Sequence, residues 1–401
     1  MRLRTTTQTT TQWIWIAGLS LTSVACDQED GRGTGASGLT GVHLTATATA
    51  TETASGSASD TDDDPNGGTG NDAAGSTDEG DTEDSPGGPK FDLGAPSETS
   101  GSPPSCEELG NCECTIPEHV PCDAGSGDPF RAMGLNCPGE LQVSTSTSGP
   151  VSARGVRGSF GNTNTFDPTE GTIYAVIGSG FVSDLDLVTP FGDSNQGPLH
   201  CNDDLGGYDP GGSLPAPLRS NNVGGDCATN PGLVGTGDCS NTIQSQFDQG
   251  VSANDYVELR FEVQVPPDIV SFSYDFAFSS TEYPYYYGSQ FNDMYVGWLE
   301  SEKWTGNISF DGSGNPISLN AGFLEYADDA GNLPQLAGTC MRQHAATGWL
   351  TTTAGVTGGE TITVVFAIFD LSDSILDSYA FLDNFQWGCE PTGDPTTKPE
   401  G

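Results

Sequence analysis

The chain has 401 residues, 55 Asp and Glu against 12 Lys and Arg, a formal charge of −43, and only 34% hydrophobic residues, with 55 Gly, 26 Pro and 11 Cys. Its length allows two or three domains, but so low an apolar fraction implies that a sizeable part lacks a packed core. An acidic excess of this size is repelled by phosphate backbones and anionic lipid surfaces, which argues against nucleic acid as a partner.

Arg2 and Arg4 precede an apolar run from Trp13 to Ala25. A helix of about thirteen residues reaches only about 20 Å, too short for a bilayer core. A basic start, a short apolar run and small residues before a cleavage point describe an export signal over residues 1–25. Ser23-Val24-Ala25-Cys26 looks like a bacterial lipobox, with Ser23 where Leu is usual. Cys26 is then the expected lipidation site, anchoring the protein to a membrane, the outer membrane or cell surface, through its N-terminal acyl chains. Ser-x-Ala also suits ordinary signal cleavage, so a soluble secreted form is the alternative. Removing Cys26 leaves ten thiols, an even number that pairs fully in an oxidising compartment.

Residues 27–105 hold 16 acids, two bases (Arg32 and Lys90) and almost no large apolar side chain. Such a stretch cannot bury enough surface to offset its ordering entropy and is expected to be a disordered acidic linker. As a flexible coil it reaches about 50 Å, which suits a stalk.

The next segment, 106–137, contains Cys106, Cys112, Cys114, Cys122 and Cys137, at spacings unlike the paired CxxC of a zinc ribbon. A disulfide knot is the expected arrangement. Cys201, Cys227, Cys239, Cys340 and Cys389 lie further on. With five thiols in each group, complete oxidation requires at least one bridge between them, and Cys137–Cys389, tying the first strand to the last, is the expected one.

Residues 138–390 read as strands. Residues 172–177 are rich in β-branched and aromatic side chains, 255–265 and 269–278 alternate polar with apolar, and 361–369 and 378–387 are two further strong strands. The period of two in 255–265 predicts a sheet with one wet face. Only 241–249 suggests a helix, with Ile243 and Phe247 four apart and Gly250 as its stop. Short strands between Gly-rich turns predict an all-β sandwich or jelly roll braced by disulfides, followed by a disordered polar tail over 391–401.

Three ordered motifs carry a resemblance. FAFSSTEYP (276–284) followed by FND (291–293), then NISF (307–310) with PISLN (316–320), and FDLSDSILDSYAFLD (369–383), are similar to signatures of the choice-of-anchor L family. The resemblance covers roughly 251–389, and more loosely the stretch from Leu135. It implies an exported, β-rich bacterial surface protein, adhesive or envelope-associated, without a well-established reaction. The stretch from Pro198 to Cys239 looks like an insertion relative to that family.

Three kinds of site compete. Asp370, Asp373 and Asp377, with Asp383 further on, offer hard oxygens near a loop between two strands, and Glu282, Asn292 and Asp293 are candidates to converge on them. Calcium takes six to eight oxygen ligands and suits such a set, although the spacing is not that of an EF-hand. The competing reading is Asp capping strand ends in turns. His200-Cys201-Asn202-Asp203-Asp204 reads as a disulfide-anchored turn before it reads as a cation loop. Tyr285, Tyr286 and Tyr287, beside Tyr283-Pro284, combine ring area with a hydroxyl, which suits a glycan but also the packing of a long hairpin loop. For catalysis, His43, His119, His200 and His344 are scattered, and no hydrolase, zinc-protease, P-loop or dinucleotide motif is present. The expectation is a non-catalytic surface or adhesion protein whose partner is a glycan or protein of the envelope or surroundings. A secreted polysaccharide hydrolase using paired carboxylates and a purely structural envelope protein are the alternatives.

Overall fold

A computed structural model describes residues 114–400 apart from 191–197, 222, 223, 226, 228, 237, 238, 240–242 and 323. The expected signal segment with Cys26, the 27–105 linker, Cys106 and Cys112 lie outside the described residues. The strands are Ser144–Ser148 (β1), Arg154–Arg157 (β2), Tyr174–Gly178 (β3), Ala253–Gln264 (β4), Ser271–Ser280 (β5), Met294–Glu300 (β6), Thr305–Asn307 (β7), Tyr326–Ala327 (β8), Ala345–Ala346 (β9), Leu350–Gly355 (β10), Thr361–Leu371 (β11), Ser378–Gly388 (β12) and Thr396–Pro399 (β13). Among the described residues, helix is confined to single turns, Pro129–Ala132 (α1) and Gln244–Phe247 (α2), and three short 3-10 segments. None is long and apolar enough to cross a membrane.

Two antiparallel sheets form the expected β-sandwich. One runs β1-β4-β11-β6-β7; the other runs β13-β10-β5-β12-β3-β2, with β9 added to β5 and β8 to β9. Period-two alternation sends Val257, Leu259, Phe261 and Val263 of β4, Val364, Phe366 and Ile368 of β11, and Phe272, Tyr274, Phe276 and Phe278 of β5 into one shared core. Each buried side chain of this size contributes about 1.5–3 kcal/mol.

The wet face expected for β4 is mostly covered. Val365, Ala367 and Phe369 of β11, Trp298 of β6 and Tyr256 of β4 are buried on the outer side under Leu214, Leu218, Ile243 and Phe247. The expected helix is the single turn α2, and Ile243 and Phe247 help cover that outer face. Only the far end of β4, at Glu262 and Gln264, stays wet. The other sheet is covered in the same way: Tyr174, Tyr379 and Phe381 lie under Phe160, Phe166, Leu336 and Trp349. Alternation reports the polarity of neighbours in sequence, and long loops that fold back can bury either face.

Among the described residues the disulfides are Cys114–Cys389, Cys122–Cys137, Cys201–Cys340 and Cys227–Cys239. The entry segment is indeed bridged to the last long strand, but by Cys114, which corrects the Cys137–Cys389 pairing. Phe130, Met133 and Leu135 around α1 sink into the core, and the Phe385 N–H donates to the Met133 carbonyl at 2.9 Å. That docking leaves Cys137 facing Cys122, fifteen residues back in the chain. The C-terminal tail, expected to be disordered, instead forms β13 against β10, where the Thr397 hydroxyl accepts the Phe310 N–H at 3.0 Å.

Peptide mapping without reduction is expected to recover Cys114–Cys389 and Cys122–Cys137 and no Cys137–Cys389 peptide. Because Cys114–Cys389 closes a 275-residue loop, Cys114→Ser combined with Cys389→Ser is expected to cost about 5 kcal/mol in urea unfolding on the chain-entropy argument.

Candidate functional site

At one end of the sandwich β5 and β11 finish while β6 and β12 begin, and each junction carries an acid. Asp370 is the next-to-last residue of β11, Asp293 immediately precedes β6, Asp377 immediately precedes β12, and Glu282 follows β5 by two residues. Ser378 pairs with Ser280 in one sheet and Phe369 with Met294 in the other, so the registers bring the four junctions to the same level. Ser378 Oγ donates to Asp293 Oδ2 at 2.6 Å and joins the two sheets there.

All four carboxylates are buried, at 1% exposure or less. Asp293 Oδ1 accepts the Leu371 N–H at 3.2 Å, while Asp377 accepts the Asp203 N–H at 2.9 Å and the Tyr379 hydroxyl at 3.0 Å. Asp370, close to Asp293 and Ser179, has neither oxygen in a hydrogen bond of normal geometry, and Glu282 Oε2 and Asp373 Oδ1 likewise lack a partner among the described residues. A buried carboxylate left this way is costly unless it takes up a proton or a cation.

Electrostatics point the same way. Burial and then the charges of Asp293 and Asp373 push Glu282 up to about 11, and burial carries Asp293 up to about 7. Burial and the neighbouring carboxylates drive Asp370 and Asp377 well above the ordinary carboxylate range. Asp373 is also raised by burial. The charges acting most strongly on Glu282, Asp293, Asp370 and Asp377 are all carboxylates. Oxygen donors without a balancing base have the chemistry of a site for a hard divalent cation.

Two further acids join the group. Asp255 sits in β4 at φ 48°, where the β4–β11 register shifts, and this bulge turns a residue out of the ladder. Its Oδ1 accepts the Leu205 N–H at 2.9 Å, its Oδ2 has no partner, and burial lifts it to about 7. Asp203 lies beside the Cys201–Cys340 bridge, and its Oδ2 is also unpartnered. Asp203 had a signal in the 200–204 string, read above as a turn. Asp255 had none, because it looks like an ordinary polar position in an alternating strand. Cys201, Ser372 and Leu376 also take positive φ here, a concentration of strained backbone typical of functional ends.

The tyrosine loop grows directly from this group. Glu282 is followed by Tyr283, whose carbonyl accepts from His344 Nδ1 at 2.5 Å; burial lowers the pKa of that imidazole. The Tyr286 N–H donates to the Glu282 carbonyl at 3.0 Å, and Tyr286 packs edge-on against Phe291. Tyr285 and Tyr287 remain 55% and 54% exposed and Tyr286 37%, so three rings are presented to solvent. Trp298 and Trp304, by contrast, are core residues.

Two expected members belong elsewhere. Asn292 is buried but linked to other loops, donating to Gln246 Oε1 at 3.0 Å and accepting the Asn320 N–H at 2.8 Å. Asp383 lies five residues along β12 and accepts the Thr169 and Glu170 N–H groups, as a strand-capping anchor. Among the described residues, the one trio with metal-type donor atoms within 4.8 Å of one another is His119, Cys137 and Glu140, where Cys137 is already in a disulfide. His119 instead sits between two acids, 2.9 Å from Glu140 and 2.8 Å from Glu170, in a cavity of about 310 Å³ walled by Leu135, Phe385 and Trp387.

Comparison with protein-family models, with curated proteins and with solved structures found no match to this chain.

The raised carboxyls fix the sign of a pH dependence. Asp255, Asp293 and Asp383 titrate near 7 when folded, whereas an unfolded Asp titrates near 3.9. Between those values the folded chain holds protons that the unfolded chain has released. In chelator, stability is therefore expected to fall as pH rises from 4 to 7, by about 1.4 kcal/mol per pH unit for each such group. Urea midpoints at pH 5 and pH 7.5 test this; a midpoint that is higher at pH 7.5 contradicts it.

Proposed function

We propose that this chain is an exported, lipid-anchored, non-catalytic surface protein of the choice-of-anchor L type. Its strand-junction acids bind calcium, and the ion holds the tyrosine loop in shape for a glycan or protein ligand of the envelope or its surroundings. One observation carries the reading: buried carboxylates with unpartnered oxygens stand at the base of a loop that exposes three tyrosines. Calcium fits the donor set because it accepts carboxylates together with backbone carbonyls in flexible geometry. Burial first, and then the neighbouring carboxylates, raise the pKa values of Glu282 and Asp370, and a bound cation would offset both.

Four disulfides suit an oxidising compartment and so an exported protein. The hydrolase alternative needs two carboxylates with room for substrate between them. In the 310 Å³ cavity, His119 contacts both Glu140 and Glu170 and fills that gap, which favours the non-catalytic reading.

Millimolar calcium is expected to raise the melting temperature by several degrees over chelator, since a ligand at about 100 times its Kd stabilises by about 2.7 kcal/mol. Asp370→Asn is expected to abolish that shift; an unchanged melting temperature in the wild type refutes the calcium reading. Glycan-array binding is expected to be calcium-dependent and to be lost with Tyr285→Ala and Tyr286→Ala. Metabolic labelling with a fatty-acid analogue is expected to mark the wild type and not Cys26→Ala.

A further inference from the structure

Phe385, Gln386 and Trp387, at the opposite end of β12 from Asp377, line the cavity of about 310 Å³. At about 30 Å³ per water, that is room for about ten waters or a ligand of similar atom count. The volume falls at the lower end of the small-molecule range of about 300–1,000 Å³. The lining is of two kinds. Leu135, Val143, Val263, Phe385 and Trp387 are apolar, and the Trp387 ring packs edge-on against Phe385 with centroids 5.2 Å apart. Glu118, His119, Glu140 and Glu170 are ionisable, so three carboxylates meet one imidazole. Neither Lys nor Arg is among the described residues that line the space. The imidazole and side-chain amide nitrogens already have partners. His119 Nδ1 is 2.9 Å from Glu140 Oε1 and Nε2 is 2.8 Å from Glu170 Oε1. Asn136 Nδ2 donates to the Val143 carbonyl at 3.4 Å, and Gln386 Nε2 donates to Asn384 Oδ1. Glu118 is exposed at the cavity. Gly134 keeps space open beside the acids: a Cβ there would stand 2.9 Å from Glu170 Oε2 and 3.2 Å from His119 Nε2. A ligand therefore meets carboxylate acceptors next to apolar and aromatic surface.

We propose that this cavity binds a small organic amine, its primary ammonium taken by Glu118 and Glu170 and its apolar or aromatic body lying against Phe385 and Trp387. Charge and hydrogen bonding both select that class. An ammonium brings three donors and no acceptor, the complement of a lining whose carboxylates outnumber its one base. Hydrogen bonds between ionised partners are about twice as strong as neutral ones. A ligand ending in carboxylate or phosphate meets like charge and no basic side chain in the lining. The apolar body is drawn from water by about 25 cal/mol per Å² buried, and a cation over the Trp387 ring gains a further attraction. The site needs no metal ion and lies away from the tyrosine loop, so it adds a second class of ligand to the surface function.

Isothermal titration of the full chain at neutral pH and physiological salt tests this with four probes. Phenethylamine supplies the ammonium and the ring, 2-phenylethanol the ring without charge, 3-phenylpropionate the ring with the opposite charge, and methylamine the charge without the ring. Phenethylamine is expected to bind with a Kd below about 1 mM, at least about tenfold tighter than each of the other three. Glu118→Gln and Trp387→Leu are each expected to weaken it by about tenfold. Glu118→Gln is expected to leave 2-phenylethanol unchanged. Near-UV circular dichroism shows whether the Trp387 variant keeps its fold; if it does not, the exposed Glu118 variant decides. No binding of phenethylamine overturns the proposal. Equal binding of 2-phenylethanol reduces the site to an apolar hollow, and equal binding of methylamine reduces it to the acidity of the chain; either result overturns it, as does an affinity for phenethylamine unchanged by Glu118→Gln.

Discussion

Uncompensated negative charge in a dry place is the constraint on which this architecture turns. Glu282, Asp293, Asp370 and Asp377 are withdrawn from water where four strands begin or end, and their strongest electrostatic neighbours are other carboxylates. Each such ion costs several kcal/mol to bury unpaired. The fold can therefore close only with protons or cations at that end, and the same end carries the exposed tyrosines.

The rest of the molecule is built to hold that end still. Both sheets are covered on their outer as well as their facing sides, one by Leu214, Leu218 and the α2 turn, the other by Phe160, Phe166, Leu336 and Trp349. A sheet buried on both faces bends little, because packed side chains on each side resist the same motion. Cys201–Cys340 fastens a covering loop beside Asp203, and Cys114–Cys389 fastens the N-terminal entry to the end of β12. Gly180 shows how tight the fit is: a Cβ there would collide with the Asp377 carboxylate.

His119 illustrates the opposite solution to buried charge. Burial alone would lower its pKa, but contact with Glu140 and Glu170 raises it, and the three form a compensated set that clips the entry segment to the 169–172 turn. Nearby, Asp123 is held below its usual range, against its burial, by the Thr172 and Ile173 N–H groups. Here an imidazole and backbone N–H groups face the acids, whereas the strongest charged neighbours of the strand-junction acids are other carboxylates.

Much was legible without coordinates. The alternation in 255–265 and 269–278 determined β4 and β5, the β-branched and aromatic runs determined β3, β11 and β12, and the acids of 282, 293, 370, 373 and 377 were identified as a group. These are local patterns: side-chain period and turn chemistry act over a few residues, so a linear reading captures them. Tertiary structure alone decided that Cys114 and not Cys137 meets Cys389, that Thr396–Pro399 completes a sheet, that Asp383 stands apart, and that Asp255 joins the acids from an otherwise regular strand. Each of these depends on which distant segments pack together and on one bulge in register, and nothing in the neighbouring sequence encodes such long-range choices.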